Sequence, residues 1–453
     1  MTPEPDPEQS VWRNMAFVRL WIAQAVSQTA QNAIWYGLLV LVERLSHSTT
    51  QLGITILSVV IPSIVFGVPA GVYVDRWDKR KVLIVTNLVR GGIVATYVAA
   101  DPDTVLGNYV PIGSVLAFLY VVSFAFSIVG QFFGPAELAM IPAVVGRKGL
   151  MQATSLFHLT FTASQLVGLI FLGPLVVKLL GTTSFFLVAA GLYILCGLLV
   201  WALPPQPPEP EAAEQAERNA LRAVVDDLRE VGQLMLADRV MLWSMAYWTV
   251  GVGLTLMVAM VAPRFVVDVL GIAAEDTVYI VGPGVGGTLL AAAILSRGTP
   301  GNWAQRHILI MRGLLIVGVS LAMVGVIPAT ARWFGLILPE GVPVDVLTQW
   351  DFAVIGGVML ATFFGGIGFT AVMIGAQTSL QERAPPDARG RVFAVQLMLG
   401  NLCSVVPLIG FGAIADLVGV RWVMPALGLL VLVIAAIGRR YAPGEPETLP
   451  ARA

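Results

Sequence analysis

Few residues in this chain can do ionic or acid–base chemistry, and they are gathered. The stretch GVPAGVYVDRWDKRKVLI, residues 67–84, places six charges in the seven residues from Asp75 to Lys81, between two apolar runs. Four more ionisable groups, Glu43, Arg90, Glu137 and His158, stand inside or at the ends of other apolar runs. At membrane depth such groups are costly, and they mark a pathway, a proton relay or a counter-ion. His158 titrates near neutrality when unperturbed. Glu43, at the outer end of its run, reads as solvated, whereas Glu137 can be neutralised by Arg90 or Arg391. Arg90 has no acid in its own run, so Asp75 or Glu137 is its expected partner, with a ligand carboxylate as the alternative.

Other chemistry is not in view. The three histidines and two cysteines lack metal-ligand spacing, and Cys196 and Cys403 read as small buried residues. The segment GPGVGG at 282–287 lies within an apolar run and lacks the Lys-Ser/Thr that cradles phosphate. No Ser/His/Asp group stands out for catalysis. The reading is therefore not an enzyme, with no cofactor and no metal. A net charge of −1 gives no reason to expect a nucleic-acid partner.

The elements that position these groups follow from composition. The chain is 57% hydrophobic and 12% charged, against roughly 45–50% and about 25% in soluble domains. The excess comes in blocks of about 20 residues, long enough to cross the hydrocarbon core as helices. Continuous apolar runs, without period-2 alternation, favour helices over a barrel. Twelve spans are expected, at 16–43, 52–74, 81–100, 110–133, 153–177, 184–203, 240–263, 277–296, 307–328, 352–378, 392–415 and 420–438. The polar start, residues 1–15, lacks the basic opening of a signal peptide, and the first span reads as uncleaved.

The spans divide six and six. A bundle over 16–203 is followed by a cytoplasmic linker over 204–239, a second bundle over 240–440 and a tail over 441–453. The linker opens rich in Pro and Glu and then turns amphipathic, with Leu221, Val224, Val225, Leu228 and Val231 at helical spacing. It is expected to lie along the membrane surface. Lys and Arg concentrate in alternate loops, which puts both termini in the cytoplasm of a multi-pass protein of the cell membrane. The charged turn is then a cytoplasmic loop. Orientation accounts for its basic residues but not for Asp75, Gly67 or Gly71.

At about 100° per residue, polar groups in several spans align on single faces. Span one carries Gln24, Gln28, Gln31, Asn32 and Trp35; span four Tyr120, Phe124, Ser127 and Gln131; span five Ser155, His158, Thr162 and Gln165. Span seven adds Trp243 and Tyr247, and span eleven Gln396, one turn from Gly400. Together they describe a wide cavity of amides, hydroxyls and aromatics for bulky amphipathic organic ligands. The alternatives are hydrogen bonding between helices and, for Trp243 and Tyr247, a lipid-facing or interfacial position.

The spacing Gly71, Asp75, Arg76, Arg80, Lys81 between spans two and three resembles the signature loop of the major facilitator superfamily, Gly-x-x-x-Asp-Arg/Lys-x-Gly-Arg-Arg/Lys, with Asp78 where the family has Gly. FVRLWIAQAVSQTAQNA, FFGPAELAMIPAVV and QTSLQERAPPDARGRVFAV resemble its twelve-span exporters of macrolides and enterobactin. The resemblance implies an all-α membrane protein of two pseudo-symmetric six-helix bundles, acting as a monomer. It implies alternating access, with export of small molecules driven by proton influx. Asp75 would act as a cytoplasmic latch by capping the start of span eleven near Arg389 and Arg391, with Arg90 and Glu137 in the same charge network. Members of this branch place an acid in span one, where this chain has Gln31-Asn32. The proton-coupling candidates are then His158, Glu137 and Glu43. Gly173-Pro174 matches the antiporter signature, but Val177 and Lys178 replace its terminal glycines.

Overall fold

The computed structural model describes residues 11–101, 110–205, 220–296, 302–334, 349–385 and 389–442. The Pro/Glu-rich opening of the linker lies outside them. Among the described residues the structure is helical throughout, as lipid requires of a chain that must satisfy its own backbone. Ten helical stretches are long and apolar enough to cross a membrane. The chain forms two units. One is Met1–Ser46 with Ile54–Val224; the other is His47–Gly53 with Val225–Ala453.

The first unit holds α1 (Met15–Ser46), most of α2 (Thr49–Arg76), α3 (Lys79–Thr96), α4 (Ile112–Leu166) and α5 (Gly173–Trp201). Asn14 starts α1 by accepting from Ala16 N at 3.0 Å and Phe17 N at 3.2 Å, while its amide donates to Val144 O at 2.8 Å. α4 is 55 residues long, and its stretch Ile112–Val145 is one of those ten. Val144 lies level with Asn14, yet Thr160 is level with Trp21 and Ser164 with Ala25. The chain therefore descends to Val144 and rises again beside α1. The rising limb passes through a wider-wound π turn, Val167–Leu172, into α5. There Gly181, at φ 79°, breaks the helix, a conformation open to Gly without a Cβ penalty. Neither α1 nor this rising limb is among the ten apolar stretches, so the described residues match ten of the twelve spans that the sequence reading expects.

The second unit contains α6 (Ala220–Ala237, mostly within it), α7 (Arg239–Leu270), α8 (Thr277–Leu295), α9 (Trp303–Trp333), α10 (Gln349–Arg383), α11 (Arg389–Val418) and α12 (Val420–Tyr441). Its helices close on one another through small residues, as in other membrane bundles. A Cβ on Gly313 would stand 2.6 Å from Gly368 O, and one on Gly368 2.7 Å from Gly313 O. α6 is the amphipathic piece of the linker. Its Val231 and Met235 bury against Met241, Met245, Leu380, Val392 and Val395. Two residues of its apolar face are thus covered by protein; the side chains of Leu221, Val224, Val225 and Leu228 lie outside the described residues.

Candidate functional site

The charged turn is short because each of its ends is specified. α2 stops at Arg76 and α3 begins at Lys79. Asp78, at φ −62° and ψ 112°, caps α3 by accepting from Arg80 N at 3.0 Å and Lys81 N at 3.4 Å. Its φ is negative, so the turn makes no demand for glycine here, and a carboxylate at a helix start is favoured by capping and by the dipole. Arg80 donates to the carbonyl of Trp201 at the end of α5. Gly71 has open space around it. Tyr73, Trp77 and Phe132 stack in series, with centroids 5.8 and 6.0 Å apart, a feature that sequence spacing did not suggest. The side chains of Asp75, Arg389 and Arg391 lie outside the described residues, as do those of His158 and Thr162.

Arg90 occupies the middle of the first unit and is 2% exposed. One guanidinium nitrogen donates to Gln31 Oε1. Its carbon lies 4.6, 5.1 and 5.5 Å from the ring centres of Phe126, Tyr193 and Phe133. Aromatic faces attract a cation by their quadrupole, more strongly when water is excluded. Gly130 makes room for the group, since a Cβ there would stand 3.3 Å from Nη2. Glu137, 5% exposed, feels Arg90 through space. Glu43 is 1% exposed; packing near the C-terminal end of α1 buries it, against the solvated reading.

The remaining amides take varied roles. Gln24 is buried and donates to Phe157 O at 3.3 Å. Gln28, Gln31, Asn32 and Trp35 are half-buried, and Asn32 donates to Gln28 O at 2.8 Å. Tyr120 is half-buried, Phe124 meets Phe66 edge-on, and Gln131 donates to Ser127 O at 3.2 Å. Gln165 is exposed. In the second unit Gln396 is buried and donates to Gln377 Oε1 at 2.6 Å. Tyr247 is buried in an apolar cluster, 3.2 Å from His307 Nε2 and against Trp243.

Two polar contacts in that unit had no sequence signal. Arg306 grips Glu382 with two bonds of 2.6 Å. Asp238 caps α7 through Val240 N and Met241 N and pairs with Arg383 at 3.3 Å.

Residues 20–344 match the sequence profile of the Major Facilitator Superfamily. The chain belongs to that family. It is a transporter, not an enzyme. Macrolide efflux protein A of Streptococcus pyogenes is 23% identical over 433 residues, covering 94% of this chain and 95% of its own. The enterobactin exporter EntS of Shigella boydii serotype 18 is 23% identical over 450 residues, covering 95% and 94%. Among solved structures the nucleoside transporter NupG superposes with a TM-score of 0.62 at 15% identity, covering 94% of this chain and 98% of that one. The inward-open xylose transporter XylE of E. coli gives 0.61 at 14% identity, covering 97% and 98%. These superpositions establish the fold of a multi-pass membrane transporter.

Proposed function

We propose that this transporter exports small amphipathic organic compounds by alternating access, with protons moving inward in exchange. The observation that carries the reading is the face of α1. Between Arg19 and Glu43 it holds no charge, and it presents Gln28, Asn32 and Trp35 half-buried. Amides beside an aromatic suit large, weakly polar ligands through stacking and adaptable hydrogen bonds. Efflux relatives matched over nearly the whole chain support the outward direction. A siderophore or lipid carrier is the second reading, favoured by the enterobactin exporter among those relatives. In this proposal the protein acts as a monomer in the plasma or inner membrane with both termini cytoplasmic. Asp75 of the charged turn serves as the cytoplasmic latch.

The test is flux in proteoliposomes with ethidium, Hoechst 33342 and erythromycin as probes, under an imposed pH gradient, with and without a protonophore. Protein-dependent flux that collapses with the gradient supports a proton-coupled exporter. Flux indifferent to the gradient replaces antiport with a facilitator. Redistribution of a labelled lipid between leaflets, with no movement of the three probes, favours the lipid carrier.

A further inference from the structure

We propose that Glu137 carries the coupling proton, that Arg90 is its counter-ion, and that Gln31 links this pair to the face of α1. The proposal rests on the proton-antiport reading above and names the residues behind it. Four observations converge on it, all inside the first unit.

Arg90 and Glu137 are both buried, and a charge out of water needs an opposite charge near it. The Arg90 guanidinium packs on α4 against Gly130 and Phe133, the latter one turn before Glu137, yet no direct bond joins the pair: among the described residues, the hydrogen bond that Arg90 makes goes to Gln31. A carboxylate held in the field of a cation, without being locked to it, can gain and lose a proton with little rearrangement. Second, Arg90 Nε and Nη1 and, one turn earlier on α3, Asn87 Oδ1 are buried without a hydrogen-bond partner among the described residues. Buried polar atoms are seldom left unsatisfied, and such clusters hold ordered water. Water at this place is a conduit for the proton. Third, α1 offers Arg90 an amide, which cannot titrate, so the charge on Arg90 is answered by Glu137. Fourth, the same amide side chain stands on the α1 face that the functional proposal assigns to ligand.

The groups around Glu137 are accounted for element by element. α3 contributes Arg90; α5 contributes Cys196, and Tyr193 stands against Arg90. α1 contributes neutral groups, Gln24, Ser27 and Gln31. α2 meets α4 at Phe66–Phe124 and carries Tyr73 and Arg76 at its inner end; the turn after it holds Trp77, stacked on Phe132, and Asp78. The side chains of Asp75 on α2 and His158 on α4 lie outside the described residues.

In the cycle, the carboxylate takes a proton from the outer solution and becomes a neutral acid. Arg90 is then an uncompensated cation beside Gln31. Release of the proton to the cytoplasm restores the pair. Proton occupancy at Glu137 is thereby felt on the face of α1.

The experiment compares wild type, Glu137→Gln, Arg90→Gln and the double variant in proteoliposomes with ethidium. It is joined to infrared difference spectra of the purified proteins across a pH jump. In Glu137→Gln, ethidium equilibration without a gradient persists, acceleration by the gradient is lost, and a carboxylic-acid band vanishes from the difference spectrum. The double variant is charge-balanced and elutes as a folded species even where a single variant fails to, and it remains uncoupled. Gradient-driven flux in the double variant would make the pair structural and overturn the proposal. Gradient-driven flux that persists in Glu137→Gln, with the infrared band intact, overturns this proposal alone. Wild-type flux that ignores the gradient overturns it together with antiport.

Discussion

Asp416 accepts the backbone N–H of Thr49 at 2.7 Å and that of Thr50 at 3.0 Å, and the hydroxyl of Ser48 at 2.6 Å. A side chain on α11 thus caps the first turn of α2, a segment that clusters with the second unit. The approach is close because Gly412, one turn before Asp416, lacks a Cβ that would stand 3.2 Å from Thr50 Cα. Loss of an N-cap costs about 0.5–2 kcal/mol, and bonds to an ionised acceptor lie toward the stronger end. Asp416→Ala is expected to lower stability by about 1–2 kcal/mol and to speed amide exchange at Thr49 and Thr50. Asp416→Asn, which keeps one acceptor, should fall between. Unchanged exchange at both amides in the alanine variant would show that the cap does not hold this turn.

Arg306 and Glu382 form a fork of two equal bonds in which the arginine side chain is 5% exposed and the glutamate 55%. The cation is the buried partner, so removing the acid strands it. Glu382→Ala is expected to cost about 1–3 kcal/mol, the range for leaving a buried donor without its partner. Arg306→Lys should fare poorly too, since an ammonium cannot reproduce the planar fork. Thermal unfolding in detergent measures both. A lysine variant as stable as wild type would reduce the fork to a simple charge contact.

The fold was legible because its signals are local and repeated: apolar runs of membrane length, and one charged turn whose spacing is specific. Helical periodicity also put Gln24, Gln28, Gln31 and Asn32 on a shared face, but it could not say what stands opposite. Gln24 meets the Phe157 backbone and Gln31 meets Arg90, partners 133 and 59 residues away. Sequence reading offers Arg90 an acid, Asp75 or Glu137, as partner. In the structure its direct contacts are an amide and three rings, none of which sequence spacing marks. Asp416 was invisible for the same reason, its partners being 366 to 368 residues distant. At Asp78, where the family pattern has Gly, the backbone angles show that the position asks for a cap and not for a left-handed residue.

Glycine offers a clean contrast between positions. At Gly368 a Cβ would meet Gly313 O at 2.7 Å and Ile316 Cβ at 2.9 Å; around Gly92 there is open space. Overpacking costs about 1–3 kcal/mol, while Gly to Ala in an unobstructed helix gains up to about 1 kcal/mol. Gly368→Ala should therefore unfold at lower temperature than wild type and Gly92→Ala at the same or higher. Equal midpoints for the two variants would mean that α9 and α10 are less tightly apposed than the structure has them.

Tyr247 separates the two roles that an aromatic in span seven can have. Its ring is 1% exposed within the apolar cluster of the second unit, and its hydroxyl meets His307. A ligand-contacting residue should alter apparent affinity when trimmed by one oxygen, whereas a packing residue should alter stability. Tyr247→Phe keeps the ring and removes one hydrogen bond, worth about 1 kcal/mol net. The expected outcome is stability lowered by about that amount, seen as a lower thermal midpoint, with KM for ethidium efflux unchanged. A several-fold rise in KM at unchanged stability would return Tyr247 to the ligand cavity, and with it Trp243, whose ring packs on it at 5.5 Å.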